Sequence, residues 1–170
     1  MPLSMHQASV PVFLHFLKAL SANLDRGEAH ARANGIEESK LIEARLAPDM
    51  FPLSRQVQIA TDHAKGAAAR LSGRDVPKYE DNETTFAALR ERIAKTTAFV
   101  GSVTAPEIDG SEAKEITLTV GGKPMTFDGQ RYLLYFALPN FFFHVTTAYG
   151  ILRHNGVELG KRDFMGAPRQ

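Results

Sequence analysis

The sequence has no cysteine, which excludes disulfide bonds, thiolate nucleophiles and thiolate metal sites. It also lacks an excess of one charge, since 20 Lys and Arg residues stand against 19 Asp and Glu residues. Without a basic stripe, the chain does not fit a nucleic-acid binder or a membrane-surface protein. Residues 1–7 have neither the basic start nor the apolar core of a secretory signal, so we predict a soluble cytoplasmic protein.

Apolar residues recur at helical spacing in four long segments, which predicts an all-α fold. A short polar helix, a loop rich in turn formers from Gly73 to Asp81, and a β-hairpin around Gly121 and Gly122 separate them. We assign no long-range contact to that loop. The expected architecture is a single domain over residues 1–170, a four-helix bundle with a short extra helix and a hairpin before the last helix. The first predicted helix opens at residues 4–7 and ends at Asn34. The other three run from about Met50 to Leu71, from Asn82 or Thr84 to Val100, and from Asp128 to Asn155.

The last helix carries most of the aromatic residues and an unusual polar pair. Pro139 removes a backbone donor, so the helix should kink there and leave a carbonyl near Tyr135 unpaired. Asn140 and His144 lie one turn apart on the same face. The simplest interpretation is that Asn140 bonds to the backbone at the kink and His144 is a satisfied core histidine.

A second polar patch is expected on the second helix, where Arg55, Gln58 and Asp62 follow one another. Gln58 and Asp62 share a face because they are four residues apart. Arg55 is interpreted as part of the solvated side of this helix. The histidines at four other positions are predicted to be structural or incidental; they are His6, His15, His63 and His154.

Two long motifs carry a family resemblance, one over residues 44–53 (ARLAPDMFPL) and one over residues 138–149 (LPNFFFHVTTAY). With these motifs the chain resembles the DinB/YfiT-like superfamily of four-helix bundles, and within it an uncharacterised bacterial and fungal family. The resemblance implies a DinB-like bundle. It also implies a divalent-metal site made by three histidines, one on helix two and two in an H-x-x-x-H pair on the last helix.

Matching the ending Leu152-Arg153-His154-Asn155-Gly156 to the superfamily places His144 on the second histidine of the pair and Asn140 on the first. Gln58 takes the place of the ligand on helix two. Amide oxygens are poor ligands for zinc or nickel, so the resemblance implies at most a weakly bound metal at His144, with Asp62 as an added carboxylate. Gln58, Asn140 and His144 are instead expected to form a hydrogen-bonded triad.

Three functions remain open. The first choice is a metal-free small-molecule pocket with walls from Phe141 to Phe143 and Tyr149, in which His144 serves as general base. The second is a divalent-metal-dependent enzyme of the thiol-transferase or hydrolase type, which the resemblance implies. The third is a non-catalytic, self-associating structural protein.

We also expect a homodimer. A face of small residues on the second helix, Ala60, Ala64, Ala67 and Ala68, would serve either in the core or between two chains, and the sequence does not choose.

Overall fold

The computed structural model describes residues 3–166, and four long helices carry most of that part of the chain. The elements in chain order are α1 (Val10–Ala33), α2 (Glu38–Ile42), α3 (Leu53–Ser72), α4 (Phe86–Gly101), α5 (Ala105–Ile108), β1 (Glu115–Val120), β2 (Lys123–Asp128), α6 (Gly129–Arg131), a π-helical segment (Tyr132–Ala137), α7 (Leu138–His154) and α8 (Lys161–Phe164). The predicted all-α bundle with a short extra helix and a hairpin before the last helix is confirmed. The two ends of the predicted domain, residues 1–2 and 167–170, lie outside the described residues.

Each long helix buries one apolar stripe. On α1 the stripe contains Phe13, Leu17, Leu20 and Leu24, all fully buried, at the three- and four-residue spacing of a helical face. The helix tolerates Pro11 because that residue falls in the first turn, where no backbone donor is needed. Within residues 3–166, none of the helices combines the length and apolarity that crossing a bilayer requires.

The small residues of α3 lie in the core, where they let α7 approach closely. Ala60, Ala64, Ala67 and Ala68 have no exposed surface. This face is therefore used inside one chain and is not available to a second copy. The homodimer stays a prediction, but without this face as its interface.

The hairpin joins β1 to β2 in antiparallel register, with Ile116 opposite Phe127 and Val120 opposite Lys123. Its two-residue turn, Gly121 and Gly122, has positive φ angles of 55° and 79°, which non-glycine residues rarely adopt. Ile116 is the one buried residue of the two strands, so it anchors the hairpin on the bundle.

A wide turn precedes the proline of the last helix. The backbone N–H of Leu138 donates to the carbonyl of Leu133, five residues back, as in a π-helix. Pro139 follows and donates nothing. The side-chain amide of Asn140 donates to the carbonyl of Phe136 at 2.7 Å, so this residue does satisfy a backbone oxygen at the kink.

Candidate functional site

His144 lies on α7 and faces α3, with 9% of its surface exposed. Its Nδ1 is 2.7 Å from Oε1 of Gln56, and Nε2 of Gln56 donates to the backbone carbonyl of Phe51 at 3.0 Å. Because the Phe51 carbonyl only accepts, it orients the amide so that Oε1 faces the imidazole. Oε1 also only accepts, so Nδ1 of His144 carries the proton and Nε2 keeps its lone pair.

This histidine is neutral at physiological pH. Burial, together with the positive charge of Arg55, lowers the pKa of His144 to about 4. A neutral imidazole with a free Nε2 is a hydrogen-bond acceptor and a metal ligand. It is a weak general base near pH 7, because an efficient base has a pKa near the working pH.

His63, which we predicted to be incidental, stands directly against His144. The two rings are nearly parallel, with centroids 6.1 Å apart and an angle of 13° between their planes. The ring of Phe136 makes an edge-type contact with His63, with ring centroids 5.6 Å apart. Burial lowers the pKa of His63 to about 4, with the charges of His144 and Arg70 adding to the effect and Asp62 opposing it. The sequence analysis considered only where His63 points relative to Asp62, and not which helix lies opposite, so it did not place His63 beside His144.

The expected hydrogen-bonded triad is not formed. Gln58 donates to Glu83 at 2.9 Å and accepts from Arg55 at 3.2 Å, while Asn140 bonds to its own helix. No side-chain hydrogen bond within residues 3–166 joins either amide to His144. Gln56, two positions before Gln58, makes that bond instead, since two residues rotate a helix by about 200°.

Gln56 was missed because its partner lies on another helix. The signal was in the sequence: Gln56 and His63 are seven residues apart, which places them on the same face of α3 two turns apart. Both side chains meet His144 across the α3–α7 contact. Gln58 and Asp62 lie on a different face of α3, which is directed toward α4.

Asp62 belongs to an ion network around Arg92, not to the His144 site. Arg92 on α4 is 2% exposed and contacts three carboxylates, Asp62 at 2.8 Å, Asp81 at 3.0 Å and Glu83 at 3.0 Å. Lys65 also contacts Asp62, at 2.9 Å. Burial acts to lower the pKa of Arg92, but the hydrogen bond to Glu83 and the three negative charges outweigh it and raise the pKa. We call this set the Arg92 network.

The Arg92 network also corrects our interpretation of the loop after α3. Asp81 ends the loop from Gly73 to Asp81, to which we assigned no long-range contact, and Glu83 lies between that loop and α4. Arg55, expected on the solvated side, contacts Asp81 at 2.5 Å. Arg74, near the start of the loop, binds the carboxylate of Glu107 at 2.6 Å. Charged side chains therefore hold this loop to α3, α4 and α5.

The aromatic residues expected to form the walls of one pocket do not lie together. Phe141 is in the core against Phe13, with ring centroids 5.0 Å apart, and Tyr149 contacts Phe164 at 6.0 Å. Only Phe143 both contacts His144, at 5.1 Å, and is 56% exposed. Phe51, whose carbonyl orients Gln56, is 53% exposed. We call Phe51 and Phe143 the aromatic rim.

The donor set at His144 fits the implied three-histidine metal centre only in part. His63 and His144 are the two imidazoles that the structure brings together. In the part of the chain that the structure describes, no three side chains from among His, Asp and Glu are grouped so as to hold a metal ion. Gln56, the nearest amide, already bonds to both His144 and Phe51.

Replacing Gln56 by leucine should release the tautomer of His144. In the wild-type protein, long-range ¹H–¹⁵N spectra should show His144 protonated on Nδ1, whereas free histidine prefers the proton on Nε2. In Gln56→Leu the acceptor is gone, so we expect a mixed population. Gln58→Leu is the matched control and should keep the Nδ1 form. An unchanged tautomer in Gln56→Leu would contradict the proposed role of this bond.

Comparison with known proteins supports the fold and the family. The family described as Domain of unknown function (DUF1993) matches residues 5–165. The chain is similar to a solved structure described as a DinB family member from Shewanella denitrificans, with 42% sequence identity and a TM-score of 0.85, over 97% of this chain and 93% of that one. No curated protein matches it significantly in sequence. The predicted resemblance is thus confirmed: this chain belongs to the DUF1993 family and has the fold of a DinB family member.

Proposed function

We propose that the face formed by His144, His63 and the aromatic rim binds a small molecule without a tightly held metal. The observation that carries this proposal is the hydrogen bond from His144 Nδ1 to Gln56, which leaves Nε2 as an acceptor. Nε2 has no hydrogen-bond partner within residues 3–166. This nitrogen is not among the buried, unpartnered polar atoms of the described chain, so it is open to solvent, and a ligand donor at this position would replace a water molecule.

The chemistry of the face favours binding over acid–base catalysis. With a pKa of about 4, His144 does not take up a proton readily at pH 7, so we no longer assign it the general-base role. The aromatic rim offers apolar contact area, and Arg55 places a positive charge nearby, with its guanidinium 5.9 Å from the ring centre of Phe51. The ligand expected here has a flat apolar part and a hydroxyl or amine donor.

A second candidate is a divalent metal held by His63 and His144. The lowered pKa values support it, because neutral imidazoles release no proton on binding a metal. The two rings are close together but stacked, with centroids 6.1 Å apart, so at least one would have to turn before both could direct a nitrogen at the same ion. A zinc or nickel ion there would act as a Lewis acid toward a bound substrate. Two imidazoles without a third protein ligand predict weak binding.

Two measurements separate these candidates. Fragments with an aromatic ring and a hydroxyl or amine should shift the NMR signals of His144 and Phe143. Affinity should fall about 10-fold or more in His144→Leu, the loss of one well-placed hydrogen bond and its contacts. Phe143→Ala, which removes an exposed ring, should also weaken binding, while His154→Leu at the exposed end of α7 should not.

Zinc titration is the second measurement. Micromolar or tighter zinc binding that is lost in both His63→Asn and His144→Leu would replace the first candidate by the second. Fragment binding that is unaffected by His144→Leu and Phe143→Ala would contradict the proposed site.

A further inference from the structure

A separate cavity of about 190 Å³ lies between α1 and the C-terminal helix α8. Four polar residues of α1 line it, His15, Lys18, Asn23 and Arg26, and Asp163 of α8 lies at its edge. None of them belongs to the His144 face or to the Arg92 network. The volume corresponds to about six water molecules at roughly 30 Å³ each, so it would admit only a small ligand.

Asn23 is a buried polar side chain at the wall of this cavity. It is 2% exposed, and its amide makes no hydrogen bond within residues 3–166. Buried amides nearly always have hydrogen-bond partners, and the amide of Asn23 is not among the polar atoms cut off from solvent without a partner, so it is reached from the cavity. The partner of Asn23 is therefore expected to be something that enters the cavity.

Arg26 is held at the same cavity by the backbone. One of its terminal nitrogens donates to the carbonyl of Glu158 at 2.7 Å, and its buried Nε has no hydrogen-bond partner in the described chain. His15 is fixed in a similar way, since its Nε2 donates to the carbonyl of Met165 at 2.7 Å. The wall is thus positioned before any ligand arrives, which reduces the entropy lost on binding.

The charges around the cavity favour an anion. Lys18 and Arg26 contribute two positive charges, and the facing carboxylate is Asp163, whose Oδ2 accepts the backbone N–H of Gly160 at 2.8 Å. Among the Lys, Arg, Asp and Glu residues that line the cavity, the two cations outnumber the single carboxylate. The oxygens of a carboxylate can accept from the remaining terminal nitrogen of Arg26 and from the side-chain NH2 group of Asn23.

We propose that this cavity binds a small monocarboxylate, with its oxygens directed to Lys18, Arg26 and Asn23. The site is independent of the function proposed for His144. Water would also satisfy Asn23, but an anion would in addition interact with the positive charges of Lys18 and Arg26.

The test uses acetate and propionate as probes at constant ionic strength, with the side-chain amide signals of Asn23 as the readout. Saturable shifts are expected with a Kd of about 1 mM or below. Lys18→Gln, an exposed change on α1, should weaken binding about 5-fold, the effect of one solvent-facing charge. Lys40→Gln, on the exposed side of α2, is the matched control and should leave the Kd unchanged.

Two further measurements test whether the cavity prefers carboxylates and whether it is independent of the His144 site. Inorganic phosphate should bind more weakly than acetate, and tighter phosphate binding would overturn the assignment to carboxylates. His144→Leu should keep the Asn23 shifts, so failure at one site does not affect the other. Shifts that follow chloride as well as acetate, or no saturation up to about 50 mM, fifty times the expected Kd, would overturn the proposal.

Discussion

Replacing Arg92 by methionine is expected to lower the free energy of unfolding by about 3–5 kcal/mol. Methionine has a similar length and no charge, so the change leaves Asp62, Asp81 and Glu83 close together without the cation that they share. Glu83 is the most affected, since only 10% of its side chain is exposed. Removing one partner from a buried ion network costs much more than losing a surface pair.

The matched control is Lys95→Met, three residues further along α4. Lys95 also contacts a carboxylate, Glu91 at 3.0 Å, but both side chains are more than half exposed. Urea unfolding of Lys95→Met should differ from wild type by less than about 1 kcal/mol. If Arg92→Met were no more destabilising than Lys95→Met, the Arg92 network would not hold the loop to the bundle.

The free energy of unfolding should decrease between about pH 6.5 and pH 4 because of His63 and His144. In the unfolded chain each takes up a proton near pH 6.5, whereas in the folded protein each stays neutral down to about pH 4. The unfolded state therefore binds more protons in this interval, and stability falls as the pH falls. The slope is at most about 1.4 kcal/mol per pH unit for each histidine, with full stability retained above pH 6.5.

Urea unfolding at pH 7, 6 and 5 measures how the free energy of unfolding changes with pH. These pH values lie above the range in which ordinary carboxylates titrate, so the histidines dominate the change. The double variant His63→Asn/His144→Gln should lose most of it. His154→Asn, at the exposed end of α7, should keep the wild-type slope. A double variant as acid-sensitive as the wild type would show that these two imidazoles are not the buried neutral groups.

The helices and the hairpin were predictable because each has a local cause. The apolar stripe of α1 repeats with the helical period, and the Gly121-Gly122 turn needs positive φ angles. The ends of the helices were less predictable. The second helix was expected from Met50 but α3 begins at Leu53, because Pro52 takes the extended conformation before the first turn. The short helices α5 and α8 were not among the predicted helices.

The site was predictable only where a single helix determines it. Asn140 and His144 stand out because they are polar residues in an apolar helix next to a proline. The partners of His144 depend on how α3 is rotated against α7, which no local pattern records. Gln56 and His63 were missed for this reason, and Gln58 was chosen in their place.

The same limit explains the Arg92 network. The sequence shows that Gln58 and Asp62 share a face, and they do. Gln58 bonds to Glu83, 25 residues further along the chain, and Asp62 bonds to Arg92, 30 residues further along. Contacts of this range follow from the packing of the bundle and cannot be read from spacing along one helix.

The wide turn at Tyr132–Ala137 bears on how this helix changes in evolution. A π turn accommodates one extra residue in a helix, and it normally persists only where something offsets the weaker hydrogen bonding. Here Pro139 has already removed one α-helical donor, so the extra residue costs less than it would in an uninterrupted helix. The proline and the insertion therefore favour one another. A related protein that lacks one of them should therefore tend to lack the other. Losing the extra residue would also rotate His144 about the helix axis relative to the aromatic residues that precede Pro139.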